Sequence, residues 1–169
     1  MTDTSATHLD VSPAAGMLFV RRGIAGSVVM LNLLRFRAVA DYAAHPELAP
    51  ASPIGGSEAF GRYIKHTLPH LRASGGDILF LGQGGPFLIG PESERWDMAM
   101  LVRQSSVSAF LAFAENEAYL AGMGHRVAAL EDARLLPLEE MSLPGHAGAV
   151  ALSQGRQRRN ICLGPAAGM

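Results

Sequence analysis

The chain has 169 residues, 49% of them hydrophobic and 17% charged, with a net charge of −1. One domain with a sizeable core is expected, and that composition excludes a disordered chain. It gives no general electrostatic case for nucleic acid or an anionic membrane as partner.

Residues 1–24 read as an N-terminal extension, polar and loose up to residue 12, with a possible short helix from Pro13 to Arg22. The start of the chain lacks the basic and apolar segments of a signal peptide. No run approaches the roughly 18 apolar residues of a membrane span. The single cysteine, Cys162, has no internal disulfide partner. A soluble, cytoplasmic protein is the expectation.

Val28 to Phe36 reads as the first strand, apolar on both alternating faces except for Asn32. Ala43 to Gly56 holds three prolines and reads as a long irregular loop. Ser57 to Ser74 carries Phe60, Tyr63, Ile64, Thr67, Leu68 and Leu71 on one stripe, the pattern of an amphipathic helix. Ser57 is its expected N-cap and Gly75 its C′ residue. Pro69 should kink or break it.

The second strand is expected over Asp77 to Gln83, with a bulge at Gly82, Gly84 and Gly85 and a resumption at Phe87 to Ile89. The third runs from Trp96 to Gln104. On it Trp96 shares a face with Met98, Met100 and Val102, and Asp97 points the other way. A helical region capped by Ser105 or Ser106 follows, broken near Asn116. Arg134 to Leu138 is the last strand. Residues 142–169 are rich in Gly and Ala, carry three arginines and lack periodicity, so they read as a flexible tail.

The order strand, helix, strand, strand, helix, strand is the split βαβ pattern. It predicts an α+β ferredoxin-like domain over residues 25–141. Two helices cover one sheet face, yet the strands are apolar on both. A second copy of the chain is the simplest cover for the other.

Val29 to Phe36, Gly75-Gly76 before a strand, Trp96-Asp97, Ser105 to Phe110 and Gly124-His125-Arg126 together resemble the DUF1330-type proteins of the dimeric α/β-barrel superfamily. The resemblance covers about residues 25–138. It implies a ferredoxin-like subunit whose sheet pairs with a partner's into a shared barrel. It also implies kinship with cofactor-independent monooxygenases, small isomerases, haem-degrading enzymes and ligand-binding regulators, without selecting among them.

Five residues stand out as candidates. Asn32 is an amide in an apolar strand, either facing a ligand or bonded to a neighbouring loop. Trp96 and Met98 would line a pocket or a dimer interface. Asp97 is a general-base candidate or an ion-pair and cap partner. His125 is an acid–base candidate or a capping histidine. His66 and His70 have the i, i+4 spacing of a metal pair, but Pro69 distorts that turn and no third ligand is evident, so no metal is assigned. The glycines at 82–85 do not form a dinucleotide fingerprint, and neither a nucleophile elbow nor a P-loop occurs.

Two functions follow as expectations. One is a small-molecule enzyme, monooxygenase- or isomerase-like, working without a bound organic cofactor, with Asn32, Trp96 and Met98 as substrate-binding walls and His125 or Asp97 moving the proton. The other is a non-catalytic dimer that binds a small ligand or acts as a scaffold.

Overall fold

The structure is a computed structural model and describes residues 7–142. Its elements are α1 (Pro13–Arg21), β1 (Val28–Phe36), α2 (Gly56–Ala73), β2 (Asp77–Gln83), β3 (Met98–Gln104), α3 (Val107–Ala114), α4 (Glu117–Leu120), α5 (Met123–Ala129) and β4 (Leu130–Glu139). The four strands form one sheet in the order β2-β3-β1-β4, antiparallel at every pairing. With α2 and the α3–α5 segment as the two crossovers, this is the ferredoxin-like α+β fold.

Alternation along β1 sorts the sheet into two faces. Val28, Met30 and Leu34 are buried under the helices, and Asn32 shares their side. Register places Gln104, Val102, Met100 and Met98 of β3 opposite these four positions. The main core gathers Leu34, Phe60, Met100, Leu130 and Ala133 between sheet and helices. A second cluster, Ile24, Val28 and Met30, is closed by Phe19 of α1 meeting Phe110 of α3 edge-on at 5.8 Å.

The other face carries Leu31 and Leu33 of β1, opposite Leu101 and Ala99 of β3 and Leu136 and Arg134 of β4. No helix covers it among the described residues. Phe80 and Leu136 are about half exposed. Both faces of the strands are apolar, as their sequence indicates, but helices bury only one.

Several elements differ from expectation. The long helix begins at Gly56, with Gly55 rather than Ser57 at the N-cap. A Cβ on Gly56 would stand 2.5 Å from the carbonyl oxygens of both Arg37 and Ala129, so only glycine lets the helix start this close to the end of β1. The helix continues through Pro69, which is exposed and sits just before its last turn; the missing amide costs one bond to Lys65 without ending the helix. Gly75 adopts φ 83°, as a C′ residue should.

The β2 bulge lies between Ile78 and Phe80, not at the glycines. Phe87 to Ile89 form no strand, and only a bridge between Pro86 and Arg95 continues the pairing. The last strand starts at Leu130, directly from α5, four residues before the expected Arg134.

Ser106 and Asn116 cap α3 and α4 through their side chains, accepting from Ala109 N at 3.0 Å and Tyr119 N at 2.9 Å. Residues 8 and 9, read as loose, are tied down. His8 donates its amide to Asp132 at 2.7 Å and accepts from Ala133 N at 2.9 Å, and Leu9 accepts from Arg126. Apart from Ser142 the expected tail, Cys162 included, lies outside the described residues.

Candidate functional site

A cavity of about 270 Å³ lies between the helix-facing side of the sheet and helices α2, α3 and α4. Met30, Met100 and Val102 form its floor, Phe110 and Phe113 part of its wall, and Leu9 to Val11 border it from the N-terminal segment. The lining is mostly apolar because these positions are the buried halves of alternating strands and helical stripes. Known ligand pockets run roughly 300–1,000 Å³, so this one suits a compact molecule.

Five uncharged polar side chains interrupt that lining: Asn32, Tyr63, Thr67, Gln104 and Tyr119. Asn32 donates from Nδ2 to the carbonyl of Met30, 3.1 Å away on its own strand. Its Oδ1 has no protein donor among the described residues. Tyr63 and Tyr119 bond hydroxyl to hydroxyl at 3.0 Å. Burial, then the neighbouring Tyr63, pushes the Tyr119 phenol well above the ordinary tyrosine range, so its hydroxyl stays protonated. One of the pair donates to the other, and its acceptor keeps a free hydrogen.

The remaining sequence candidates are dispersed. Asp97 and Met98 line a separate, more open cleft of about 750 Å³, with Gln83, Arg95 and Glu131 among its other walls. Both oxygens of Asp97 are engaged: one accepts from Phe36 N at 2.8 Å, the other from Arg95 at 2.7 Å. Its own amide donates to Leu34 at 2.8 Å, so Asp97 ties the start of β3 to the end of β1.

Trp96 does not share the face of Met98 and Met100. It precedes β3, which starts at Met98, and its ring packs against the guanidinium of Arg134 at 4.9 Å and that of Arg35 at 5.7 Å. Arg134 stands opposite Leu33 on the uncovered side of the sheet. Strand alternation fails here because residue 97 is a bend rather than a strand position.

His125 is absent from the walls of both cavities. Its Nδ1 meets the Tyr42 hydroxyl at 2.8 Å. Desolvation, then the charges of Arg62 and His66, lower its pKa, so it is neutral at pH 7. The His66 and His70 rings are 5.1 Å apart. His66 Nε2 faces the carbonyls of Ala118 at 2.8 Å and Tyr119 at 3.2 Å, which makes it a donor pinning α2 to α4. No group of three metal-ligating side chains forms among the described residues.

Sequence reasoning missed four of the five polar cavity residues. Tyr63 and Thr67 carried a signal, since both lie on the buried stripe of α2. Gln104 is only the last residue of the expected third strand, and Tyr119 lies in the helical region expected to break near Asn116.

The fold and an apolar cavity crossed by uncharged polar groups define a ferredoxin-like protein with an internal pocket. The chain belongs to the family of the RPA0582 protein of unknown function from Rhodopseudomonas palustris. It is 31% identical to that protein over 82% of this chain and all of the other, with a TM-score of 0.69. The methylated form of the same protein gives 32% identity, 82% and 98% coverage, and a TM-score of 0.71. A dimeric ferredoxin-like protein of unknown function from Jannaschia sp. is 18% identical over 68% of this chain and all of the other, with a TM-score of 0.41. No family model matches the chain, and no curated protein does. No helix among the described residues is long and apolar enough to cross a membrane.

Proposed function

We propose that this chain is a cytoplasmic small-molecule-binding protein whose site is the 270 Å³ cavity between sheet and helices. The observation that carries the reading is the cavity's mixed lining. An apolar chamber serving only as packing has no use for amide and hydroxyl groups that the protein itself leaves free. Asn32 is the wall residue that orients the ligand.

Binding has more support than catalysis. In the cofactor-independent monooxygenase- or isomerase-like reading, His125 or Asp97 moves the proton. His125 is neutral and suited to act as a base, but its Nδ1 is bonded to Tyr42 and a ligand in the cavity does not meet it directly. Asp97 is committed to Phe36 and Arg95. Trp96 and Met98 would act on a ligand only from outside this cavity.

Asn32→Leu tests the reading. If Asn32 serves a ligand, the variant loses less than about 1 kcal/mol of stability, because the bond to the Met30 carbonyl is all that the fold gives up, and small-molecule binding is abolished. A loss of about 1–3 kcal/mol with binding retained would make Asn32 a structural hydrogen-bond hub and remove it from the site. The denaturant midpoint at unchanged m-value separates the two results.

The finer family reading, a DUF1330-type subunit pairing into a shared barrel, draws its support from the uncovered sheet face. Leu31, Leu101, Phe80 and Leu136 make that face apolar, and a standard interface of roughly 1,600 Å² would bury it. Sedimentation at micromolar concentration should give a dimer, and Leu136→Glu should shift it to monomer. A native monomer of ordinary stability in the unsubstituted protein would end the shared-barrel reading.

A further inference from the structure

The least satisfied polar atoms of the cavity wall belong to Gln104, at the end remote from Asn32, and to Thr67. Gln104 is 1% exposed. Its Oε1 accepts a long bond from Ser74 at 3.4 Å, and its Nε2 has no partner. Thr67 is 9% exposed and its Oγ1 is likewise unpartnered. A threonine within a helix ordinarily bonds back to a carbonyl three or four residues earlier, and this one does not. A buried donor left unmade is costly, so two on the wall of one cavity call for an occupant.

The sheet register sets the distance between the two polar ends. Asn32 stands opposite Met100, and Gln104 follows four residues later on the same face. At about 3.3 Å per residue the two amides are roughly 13 Å apart along the strand. Met30 and Val102, paired with each other, fill the floor between them. On the helix side, Tyr63 and Thr67 are one turn apart on α2. The cavity floor is therefore apolar between an amide at each end.

The orphaned groups carry no charge themselves, so neither Gln104 nor Thr67 serves as a counter-ion to an anion or a cation. Arg126 and Asp10 also line the cavity, with Arg126 donating to the carbonyl of Leu9 in the N-terminal segment.

We propose that the cavity takes a neutral, flat, largely apolar molecule of about two rings, with a carbonyl oxygen at one end that accepts from Gln104 Nε2 and Thr67 Oγ1. Its opposite end carries a hydroxyl or a second carbonyl that meets Asn32 and the free hydrogen of the Tyr63–Tyr119 pair. This assignment rests on the cavity being the binding site, and adds to it the ligand class and orientation.

Three probes titrated into the purified full-length chain test it: 2-acetyl-6-hydroxynaphthalene, naphthalene, and 6-hydroxy-2-naphthoate. The ketone should bind at least about tenfold more tightly than either of the others, the size expected for one or two desolvated hydrogen bonds. Gln104→Leu and, separately, Thr67→Val should erase most of that preference while leaving the affinity for naphthalene unchanged. Two single variants are used so that poor folding of one does not decide the matter. Equal binding of naphthalene and ketone would mean that water alone satisfies the orphaned groups. That result, preference for the naphthoate, or a ketone preference surviving in both variants overturns the assigned ligand class and leaves the cavity as the site. Failure of all three probes to bind overturns the cavity reading itself, and the ligand class with it.

Discussion

Asp132→Ala should lower the unfolding free energy by about 3 kcal/mol, the lower end of what breaking a buried ion pair costs. Asp132 is 1% exposed and holds four separate groups. Its Oδ1 accepts from the amides of His8 at 2.7 Å and Ala133 at 2.9 Å and from Arg134 at 2.6 Å, and its Oδ2 from Arg35 at 3.2 Å. Removing the carboxylate takes the nearest acid from two guanidinium groups beside the Trp96 ring and leaves Arg35 only the longer contact to Glu131 at 3.7 Å. Arg134 is partly exposed and can turn to water, which keeps the loss from reaching the top of the range. The pH dependence has a definite sign. Desolvation is the largest single influence on Asp132 and raises its pKa. The His8 amide, Arg134 and the Ala133 amide together outweigh it and leave the folded pKa below the usual carboxylate value. The stabilisation is then complete above the unfolded pKa, near 3.9, and is lost as pH falls through the lower folded value. Urea unfolding at pH 7 and pH 3 should show the gap between parent and variant narrowing in acid. A loss under about 1 kcal/mol at pH 7 would mean that the arginines find other partners.

Phe60→Ala should cost about 3–5 kcal/mol. Phe60 is among the largest fully buried side chains, set between Phe36 of β1, with ring centroids 5.4 Å apart, and Tyr63 of α2 at 5.2 Å. It joins the end of the first strand to the first half of the long helix. Its neighbour Ala59 is fully buried and too small to close the void. Phe60→Leu keeps most of the volume and should lose clearly less. Guanidinium unfolding with a constant m-value measures both. Equal losses would show that ring contacts, not volume, set the cost.

The elements whose sequence pattern is simple match the structure closely. Val28–Phe36 and Asp77–Gln83 have the expected bounds, because an apolar run between glycine- or loop-rich flanks leaves the strand nowhere else to go. The helix from Gly56 departs by only a residue at each end. Differences arise where a side chain far along the chain decides. Trp96 and Asp97 look like the first residues of a strand, but Asp97 reaches across to cap β1 and turns the backbone there. The β2 bulge sits in an apolar stretch that carries no glycine, so composition could not locate it. Among site residues, Asn32 was visible as the one polar residue facing an apolar floor. Gln104 was not, since periodicity does not see which strand ends are roofed.

The N-terminal segment also bears on how the sheet meets other chains. β4 is an edge strand, and an open edge is a template for strand addition and aggregation. Here the carbonyl of His8 already occupies the amide of Ala133, Pro137 has no amide to offer, and Arg22 holds the carbonyl of Pro137 at 2.7 Å. The opposite edge, β2, is bent by its bulge. Neither margin is left as a flat ladder for another strand. Growth of the sheet sideways, the route to open-ended fibres, is disfavoured at both ends. The proposed pairing of two copies is left with the broad face, where one contact surface is used up by one partner and assembly stops at two.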